Sequence, residues 1–165
     1  MEPSARDLQE ITLRPVTDED REFLLDVYAT TRAAELALVP WNEEMKRAFI
    51  EHQYTAQDAH YRSEYPDPTH DIILLGQEAV GRLYISRGAD EIGILDIAVL
   101  PSHRCRGIAS HLVRKLQDEA KQTARSLRIY IETFNPADKL FRELGFVQTD
   151  EDGHSRRFDW GAARK

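Results

Sequence analysis

The stretch PSHRCRGIASHLVRKLQDEA, residues 101–120, decides the fold, because it predicts a tight basic turn that leads into a helix. The apolar run Ile92–Leu100 before it is typical of a buried strand. After the turn, apolar residues recur at the spacing of one helix face, at Ile108, Leu112, Leu116 and Ala120. The whole segment therefore predicts a strand, a turn and a helix in direct succession.

The turn before this helix has the features of an anion-binding cradle. The first backbone N–H groups of a helix have no partner within it, and the positive end of the helix dipole points the same way. Gly107 and Ala109 leave the backbone approachable, and Arg104 and Arg106 add cationic donors. We expect a diphosphate to bind here, although a basic turn that binds no ligand is an alternative. The turn matches neither GxxxxGK[ST] nor GxGxxG.

Length and composition limit the class of protein. The 165 residues suit one domain with its own core, and we expect it over residues 11–160, with a flexible arm at 1–10 and a tail at 161–165. The single cysteine, Cys105, rules out an intrachain disulfide. No apolar run approaches the ~20 residues of a membrane span, so we expect a cytoplasmic protein that does not bind membranes.

The net charge of −7 argues against a general nucleic-acid binder, because phosphate backbones repel an acidic surface. It mildly favours cationic small molecules or peptides as partners. The alternative is that this charge only keeps the protein soluble.

Hydrophobic patterns and turn signals predict an α/β protein with a mixed sheet and helices on both faces, in the order β-α-α-β-β-β-α-β-α-β-β. The predicted strands are Ile11–Pro15, Asp71–Leu75, Val80–Ser86, Glu91–Leu100, Leu127–Glu132, Phe146–Thr149 and His154–Trp160. Two helices are predicted to begin after Thr17 and Asn42, the second ending at the proline-rich turn of residues 65–68, and a short one fits Pro136–Leu144.

Two motifs carry a family resemblance. The first is Asp96–Pro101 (DIAVLP) followed by Arg104-x-x-Gly107-x-Ala109, and the second is Asn135-Pro136-Ala137 followed by Leu140-Phe141-x-x-Leu144-Gly145-Phe146. The first resembles the acetyl-CoA signature R/Q-x-x-G-x-G/A, and the second resembles N-x-x-A…L-Y-x-x-x-G-F, of the GNAT superfamily of N-acetyltransferases. The first signature is weak by itself, but both in this order are specific. The resemblance covers roughly residues 11–160.

The resemblance implies a GNAT-like fold whose central strands, Glu91–Leu100 and Leu127–Glu132, splay apart around acetyl-CoA. The cradle would hold the diphosphate of coenzyme A, Ile97 and Val99 would pair with the pantetheine arm, and Asn135 would bind that arm from the other side. A backbone N–H near Ile97 would receive the developing oxyanion. The residues that the resemblance assigns to the cofactor are Ile97, Ala98, Val99, Arg104, Cys105, Arg106, Gly107, Ile108, Ala109, Ser110, Asn135, Lys139 and Phe141.

The implied reaction is acetyl transfer from acetyl-CoA to a primary amine of a small molecule or peptide, by direct attack on the thioester. With an amine pKa of ~10.4, roughly one amine in a few thousand is neutral at pH 7, so a base should help. Glu132, at the end of a predicted strand, and Asp96, inside an apolar strand, are the candidate catalytic residues. Each also has a structural interpretation: Glu132 could occupy the solvated strand end, and Asp96 could accept bonds from the backbone or an arginine.

Two positions depart from the family. Phe141 stands where many members have a tyrosine that protonates the leaving thiolate, so water or another group would do this, or the enzyme would be slow. Cys105 stands where glycine is usual. It would be strained if the position requires a positive φ, and its basic surroundings could make it a reactive thiol.

The six histidines show no ligand spacing, so we expect no metal site. Tyr54, Tyr61 and Tyr65, with Trp41, could line an acceptor pocket, pack in the core or form the face of a homodimer. Phe141 also leaves a second function open, a non-catalytic acyl-CoA-binding or regulatory module. A nucleotide-binding domain is a third possibility, and it would be stabilised by ATP or NAD rather than by coenzyme A.

Overall fold

A seven-stranded mixed sheet runs through the centre of the computed structural model, which describes residues 8–65, 67–133, 135 and 137–161. The strands are β1 Ile11–Pro15, β2 Pro68–Leu75, β3 Glu78–Arg87, β4 Glu91–Val99, β5 Ser126–Glu132, β6 Val147–Glu151 and β7 Ser155–Trp160. The helices are α1 Arg21–Leu36, α2 Glu43–Glu64, α3 Ile108–Gln122 and α4 Asp138–Glu143. The predicted fold class and the predicted order of elements are confirmed.

The sheet has the spatial order β1-β2-β3-β4-β5-β7-β6. Neighbouring strands are antiparallel except β4 and β5, which are parallel. A parallel pair needs a crossover connection, and α3 supplies it between these two strands. The cradle turn therefore lies at the end of a central strand.

Helices cover both faces of the sheet, as two consecutive residues of β2 show. Ile72 and Ile73 are both fully buried, and side chains alternate between faces along a strand. Ile72 packs with the apolar residues of α1 and α2, whereas Ile73 belongs to the core that contains α3 and Phe141 of α4. We call the first side of the sheet the α1–α2 face and the second the α3–α4 face.

Local differences from the predicted elements concern their ends. The first helix is preceded by a 3-10 turn at Asp18–Asp20, and β2 begins at Pro68 instead of Asp71. Asn42 caps α2 as predicted, since its Oδ1 accepts a hydrogen bond from the Met45 N–H at 2.8 Å. Pro136, predicted in the first turn of the last helix, and Pro66, in the predicted turn after α2, lie outside the described residues.

The chain joins the fold slightly before residue 11. The side chain of Leu8 packs against the main core, and the Glu10 carbonyl accepts a hydrogen bond from the Gly76 N–H at 3.0 Å. The remainder of the predicted arm, residues 1–7, and the predicted tail beyond residue 161 lie outside the described residues. Among the described helices, none combines the length and apolarity needed to cross a bilayer.

Candidate functional site

A pocket of about 250 Å³ opens at the N-terminus of α3. Its lining combines the end of β4, the cradle turn, the first turn of α3 and one residue of α4: Val99, His103, Arg104, Cys105, Gly107, Ile108, Ala109, Ser110 and Leu140. Most of these are residues that the sequence assigned to the cradle. The structure thus brings the end of β4, the cradle and α4 together around one cavity.

The start of α3 leaves backbone donors available to this pocket. The first helical hydrogen bond runs from the His111 N–H to the Gly107 carbonyl at 2.9 Å. The N–H groups of residues 108–110 therefore have no acceptor within the helix. Gly107, the N-cap, has a φ of 79° and has no side chain that could cap these N–H groups. Several unpaired N–H groups beside the helix dipole make a site for an anion.

Cys105 occupies this turn in a left-handed conformation, with a φ of 62°. A residue with a Cβ adopts this region at a cost, whereas glycine does not. A positive φ was the condition under which strain was predicted at Cys105, and this condition is met. The thiol is exposed and makes no disulfide.

The two arginines of the turn differ in their surroundings. The Nε of Arg104 donates to the Val99 carbonyl oxygen at 2.9 Å, and its guanidinium also reaches the Thr30 hydroxyl of α1 at 3.3 Å. Arg104 thus ties the turn to the end of β4. Both side chains are exposed, but Arg106 makes no hydrogen bond or ion pair to the described residues, so it is more readily directed to an incoming anion.

Beside the cradle, β4 and β5 separate. They pair only where Glu91–Ile94 lies beside Ser126–Ile129, after which β4 remains with β3 and β5 remains with β7. The predicted splaying of these two strands is confirmed. It leaves a gap between Leu95–Val99 on one side and Tyr130–Glu132 on the other.

The backbone groups that face this gap follow from the register of β4. The Leu100 N–H donates to the Val80 carbonyl of β3 at 2.8 Å. Because hydrogen-bonding groups alternate in direction along an antiparallel pair, those of Ala98 also point to β3, and those of Val99 and Ile97 point into the gap. The position of Gly81 in β3 supports this register. A Cβ there would lie 2.2 Å from the Ala98 carbonyl oxygen, so that oxygen points toward β3.

The opposite wall of the gap is a turn after β5. Arg156 of β7 holds this turn, because it donates to the Thr133 carbonyl at 3.2 Å and pairs with Asp138 at 3.1 Å. Asn135 accepts a hydrogen bond from the Ala137 N–H at 2.9 Å through Oδ1. Its Nδ2 group makes no hydrogen bond within the described residues.

The two α4 residues that the sequence assigned to the cofactor lie in different surroundings. Lys139 is exposed. Phe141 is 1% exposed and packs edge-on against Phe146, with ring centroids 5.2 Å apart. Phe141 therefore belongs to the core beneath the pocket, and its ring brings no proton donor to the site.

Glu132, a predicted base, lies at the end of β5, and its side chain is 48% exposed. Its nearest cation is Arg32 of α1, at 3.6 Å. Arg32 is held more closely by Glu35, at 2.9 Å, and by the Tyr28 hydroxyl, at 3.1 Å. Glu132 is thus accessible and only loosely paired.

Asp96, the other predicted base, is tightly paired. Its Oδ2 accepts a hydrogen bond from the Nε of Arg82 at 2.7 Å, and Arg82 is 1% exposed. Arg82 also donates to Gln57 of α2 at 2.5 Å. The negative charge of Asp96 raises the pKa of the Arg82 guanidinium against the effect of burial. The arginine partner that the sequence allowed for Asp96 is present.

The α1–α2 face carries all six tyrosines of the chain, in one connected cluster with five arginines. The members are Tyr28, Tyr54, Tyr61, Tyr65, Tyr84 and Tyr130, with Arg21, Arg32, Arg82, Arg128 and Arg157. The sequence analysis singled out three of these tyrosines but none of the arginines. Arg82 gave a signal that could have been used, because it is a lone charge within the apolar strand residues 80–85.

No three histidine, cysteine, aspartate or glutamate side chains in the part of the chain that the structure describes are grouped to hold a metal ion.

Comparisons with known proteins agree with this architecture. The chain matches the family model described as Acetyltransferase (GNAT) family over residues 24–146. It is similar to a PaiA N-acetyltransferase from Thermoplasma acidophilum in complex with coenzyme A, with a TM-score of 0.68 and 18% identity over 92% of this chain and 99% of that one.

Two further solved structures are similar. One is a spermidine N-acetyltransferase from Vibrio cholerae in complex with CoA and spermine, with a TM-score of 0.62 and 15% identity over 92% of this chain and 95% of that one. The other is Arabidopsis thaliana Naa50 in complex with the bisubstrate analogue CoA-Ac-MVNAL, with a TM-score of 0.59 and 17% identity over 93% of this chain and 99% of that one. A search of curated protein sequences finds no match.

Proposed function

Because this chain belongs to the GNAT family of acetyltransferases, we propose that it is an N-acetyltransferase that uses acetyl-CoA and acetylates a primary amine of a small molecule or peptide. The observation that carries the proposal is the pocket at the N-terminus of α3, which adjoins the gap between β4 and β5. This arrangement provides an anion site and an extended slot next to each other.

The cradle suits the diphosphate of coenzyme A. The N–H groups of residues 108–110 and the positive end of the α3 dipole would contact the phosphate oxygens. Arg106 would add a cationic donor from solvent. The similar PaiA, spermidine N-acetyltransferase and Naa50 structures contain CoA or a CoA conjugate, which supports the same donor here.

The gap suits the pantetheine arm and the thioester. The arm would pair with the outward groups of Ile97 and with the N–H of Val99, whose carbonyl is taken by Arg104, and the Nδ2 of Asn135 would bind it from the opposite wall. The Ile97 N–H would donate to the thioester carbonyl oxygen and stabilise the negative charge that develops there. In the transfer, the amine nitrogen forms a bond to the acetyl carbon while the carbon–sulfur bond breaks and the thiolate leaves.

We propose Glu132 as the group that removes the proton from the amine, directly or through a water molecule. It is more exposed than Asp96 and more loosely paired, because its arginine lies 3.6 Å away instead of 2.7 Å. The Asp96 carboxylate is instead engaged by the buried Arg82, which Gln57 holds from α2. Asp96 would therefore position the strand rather than accept the proton.

Phe141 favours a second candidate function, a non-catalytic acyl-CoA-binding or regulatory module. Its buried ring cannot protonate the departing thiolate. A positioned acid typically contributes ~10²–10⁴-fold to a rate. The enzyme function then requires that water protonates the thiolate, which is a fair leaving group without assistance.

The acceptor is proposed only as a primary amine. The similar proteins were solved with acceptors as different as spermine and the peptide part of CoA-Ac-MVNAL. Tyr28, Arg32 and Glu35 of α1, together with Tyr61 of α2, lie on the side of the gap from which an amine would reach Glu132. Specificity would be set by this side of the gap.

An acceptor screen tests the proposal. Purified protein is incubated with acetyl-CoA and a panel of polyamines, amino acids, aminoglycosides and peptides, and released thiol is measured. Amine-dependent thiol release supports the enzyme. Stabilisation by acetyl-CoA without thiol release for any amine would favour the binding module, and stabilisation by ATP or NAD but not by coenzyme A would reject both.

A further inference from the structure

A β-bulge marks the point at which β4 leaves β5. Tyr84 of β3 pairs with Asp96, but the adjacent Ile85 pairs with Ile94, so Leu95 is an extra residue in β4. The last pair between β4 and β5 is Ile94 with Ile129. A bulge bends its strand and increases the local twist, so the extra residue lies where a bend would separate the strands.

The bulge also decides which amides face the gap. Ile94 is the last residue of β4 that pairs with β5. In a regular strand the next residues to face the same side would be 96 and 98. The extra residue shifts this alternation by one, so that Ile97 and Val99 face the gap instead.

A half-buried tyrosine of α2 holds the bulge. The Tyr61 hydroxyl donates to the Leu95 carbonyl oxygen at 2.8 Å. A backbone carbonyl at the edge of a parted sheet needs a partner when it is removed from water, and Tyr61 supplies the partner that β5 no longer provides. Burial raises the pKa of Tyr61, so its hydroxyl remains a proton donor at every physiological pH.

The residue after the bulge is held from the same helix. Asp96 is bound by buried Arg82, and Arg82 is bound in turn by Gln57. Gln57 and Tyr61 are four residues apart in α2, so they lie on one face of the helix. Helix α2 thus controls both Leu95 and Asp96, the two residues immediately before Ile97.

From this geometry we propose that Tyr61 is a positioning residue for the acetyl transfer. By fixing the Leu95 carbonyl, its hydroxyl keeps β4 apart from β5 and directs the Ile97 N–H at the thioester carbonyl. The proposal rests on the acetyl-CoA-dependent function proposed above. It adds a connection between α2, on the acceptor side of the sheet, and the group that polarises the donor.

A purely structural role for this hydroxyl would also destabilise a variant, so stability does not decide the question. The discriminating property is the stretching frequency of the thioester carbonyl in bound acetyl-CoA, because hydrogen bonds to that oxygen lower it. It is measured by isotope-difference infrared spectroscopy with acetyl-CoA labelled with carbon-13 at the acetyl carbonyl. No acceptor amine is needed.

The variants are Tyr61→Phe and the matched control Tyr65→Phe. Tyr61→Phe retains a ring that can pack against Tyr84, at a centroid distance of 4.9 Å, and removes only the hydroxyl. The Tyr65 hydroxyl makes no hydrogen bond to the described residues. The wild-type protein and Tyr65→Phe are expected to lower the carbonyl frequency equally relative to acetyl-CoA in water. In Tyr61→Phe the carbonyl frequency is expected to return at least halfway to its value in water, while the affinity for acetyl-CoA changes less than about twofold.

With an active amine, Tyr61→Phe is expected to lower kcat by about tenfold or more while the KM for the amine is nearly unchanged. Loss of a whole oxyanion donor costs about 10²–10³-fold, and a misdirected donor should cost less. If Tyr61→Phe does not fold, 3-fluorotyrosine at position 61 retains the ring and hydroxyl and changes the donor strength. A changed carbonyl frequency then supports the proposal.

The inference would be overturned if bound acetyl-CoA had the same carbonyl frequency in the wild type and in Tyr61→Phe, or in the wild type and the fluorinated protein. The proposed function would remain intact. The same holds if the wild-type protein binds acetyl-CoA without lowering the frequency. Failure of the wild-type protein to bind acetyl-CoA would overturn both proposals.

Discussion

The substitution His70→Phe should flatten the dependence of stability on pH. His70 lies in β2, is 9% exposed, and stacks on Tyr84 with ring centroids 4.1 Å apart. Its Nε2 has no hydrogen-bond partner among the described residues. Burial, assisted by the charge of Arg82, lowers the pKa of His70 to about 3. A phenylalanine keeps the stacked ring and removes both the titration and the unpaired nitrogen.

The size of the effect follows from proton linkage. An unfolded histidine has a pKa of about 6.5, so below that pH the unfolded chain binds a proton that the folded protein does not. The stability that depends on neutral His70 is complete above pH ~6.5 and falls as the pH approaches 3. The slope is about 1.4 kcal/mol per pH unit, which amounts to about 2 kcal/mol between pH 8 and pH 5.

Urea unfolding at pH 8 and pH 5 measures this loss. The free energy of unfolding of the wild-type protein should fall by about 2 kcal/mol more than that of His70→Phe. His52→Gln, at an exposed position of α2, is the control and should lose as much as the wild type. An equal loss in His70→Phe and in the wild type would refute the reasoning, because His70 would then titrate normally in the folded state.

Three further substitutions test other parts of the structure. Cys105→Gly should stabilise the protein by about 1 kcal/mol in thermal unfolding, because glycine tolerates the φ of 62°; a lower melting temperature would contradict this. Gly81→Ala should lower the free energy of unfolding in urea by about 1–3 kcal/mol or more, because the new Cβ would lie 2.2 Å from the Ala98 carbonyl oxygen; wild-type stability would show that the strands can adjust. Glu132→Gln should reduce kcat/KM by about 10²–10⁴-fold with an unchanged Kd for acetyl-CoA, and retention of the full kcat/KM across pH would show that Glu132 is not the base.

The fold could be predicted from the sequence because its signals are local. The apolar stripe beginning at Ile108 predicted α3, and Asn42 predicted the start of α2. The apolar run that became β4 and the cradle turn are adjacent in the chain, so their contact requires no knowledge of distant segments. No local pattern contains the splaying of β4 and β5, which was predicted from the resemblance of the two motifs to the family.

The details of the site depend on contacts between distant residues. Arg82 and Asp96 meet because β3 and β4 pair in one register, and Tyr61 reaches Leu95 because α2 crosses the sheet at that point. The bulge itself leaves no mark in the residue types around it. For this reason the sequence identified Asp96 as unusual but could not choose between a catalytic role and an ion pair.

The central claim is that backbone N–H groups at the start of α3 bind the diphosphate of acetyl-CoA, and calorimetric titration of Ala109→Pro tests it most directly. Proline removes one N–H from the first turn, where no internal hydrogen bond is lost, and Ala109→Ser is the control that keeps it. One hydrogen bond to a charged group contributes about 1.5–3 kcal/mol. The account predicts that acetyl-CoA binds the wild-type protein and Ala109→Ser alike, and binds folded Ala109→Pro at least about tenfold more weakly. No heat with the wild-type protein, or equal affinity for all three proteins, would contradict it.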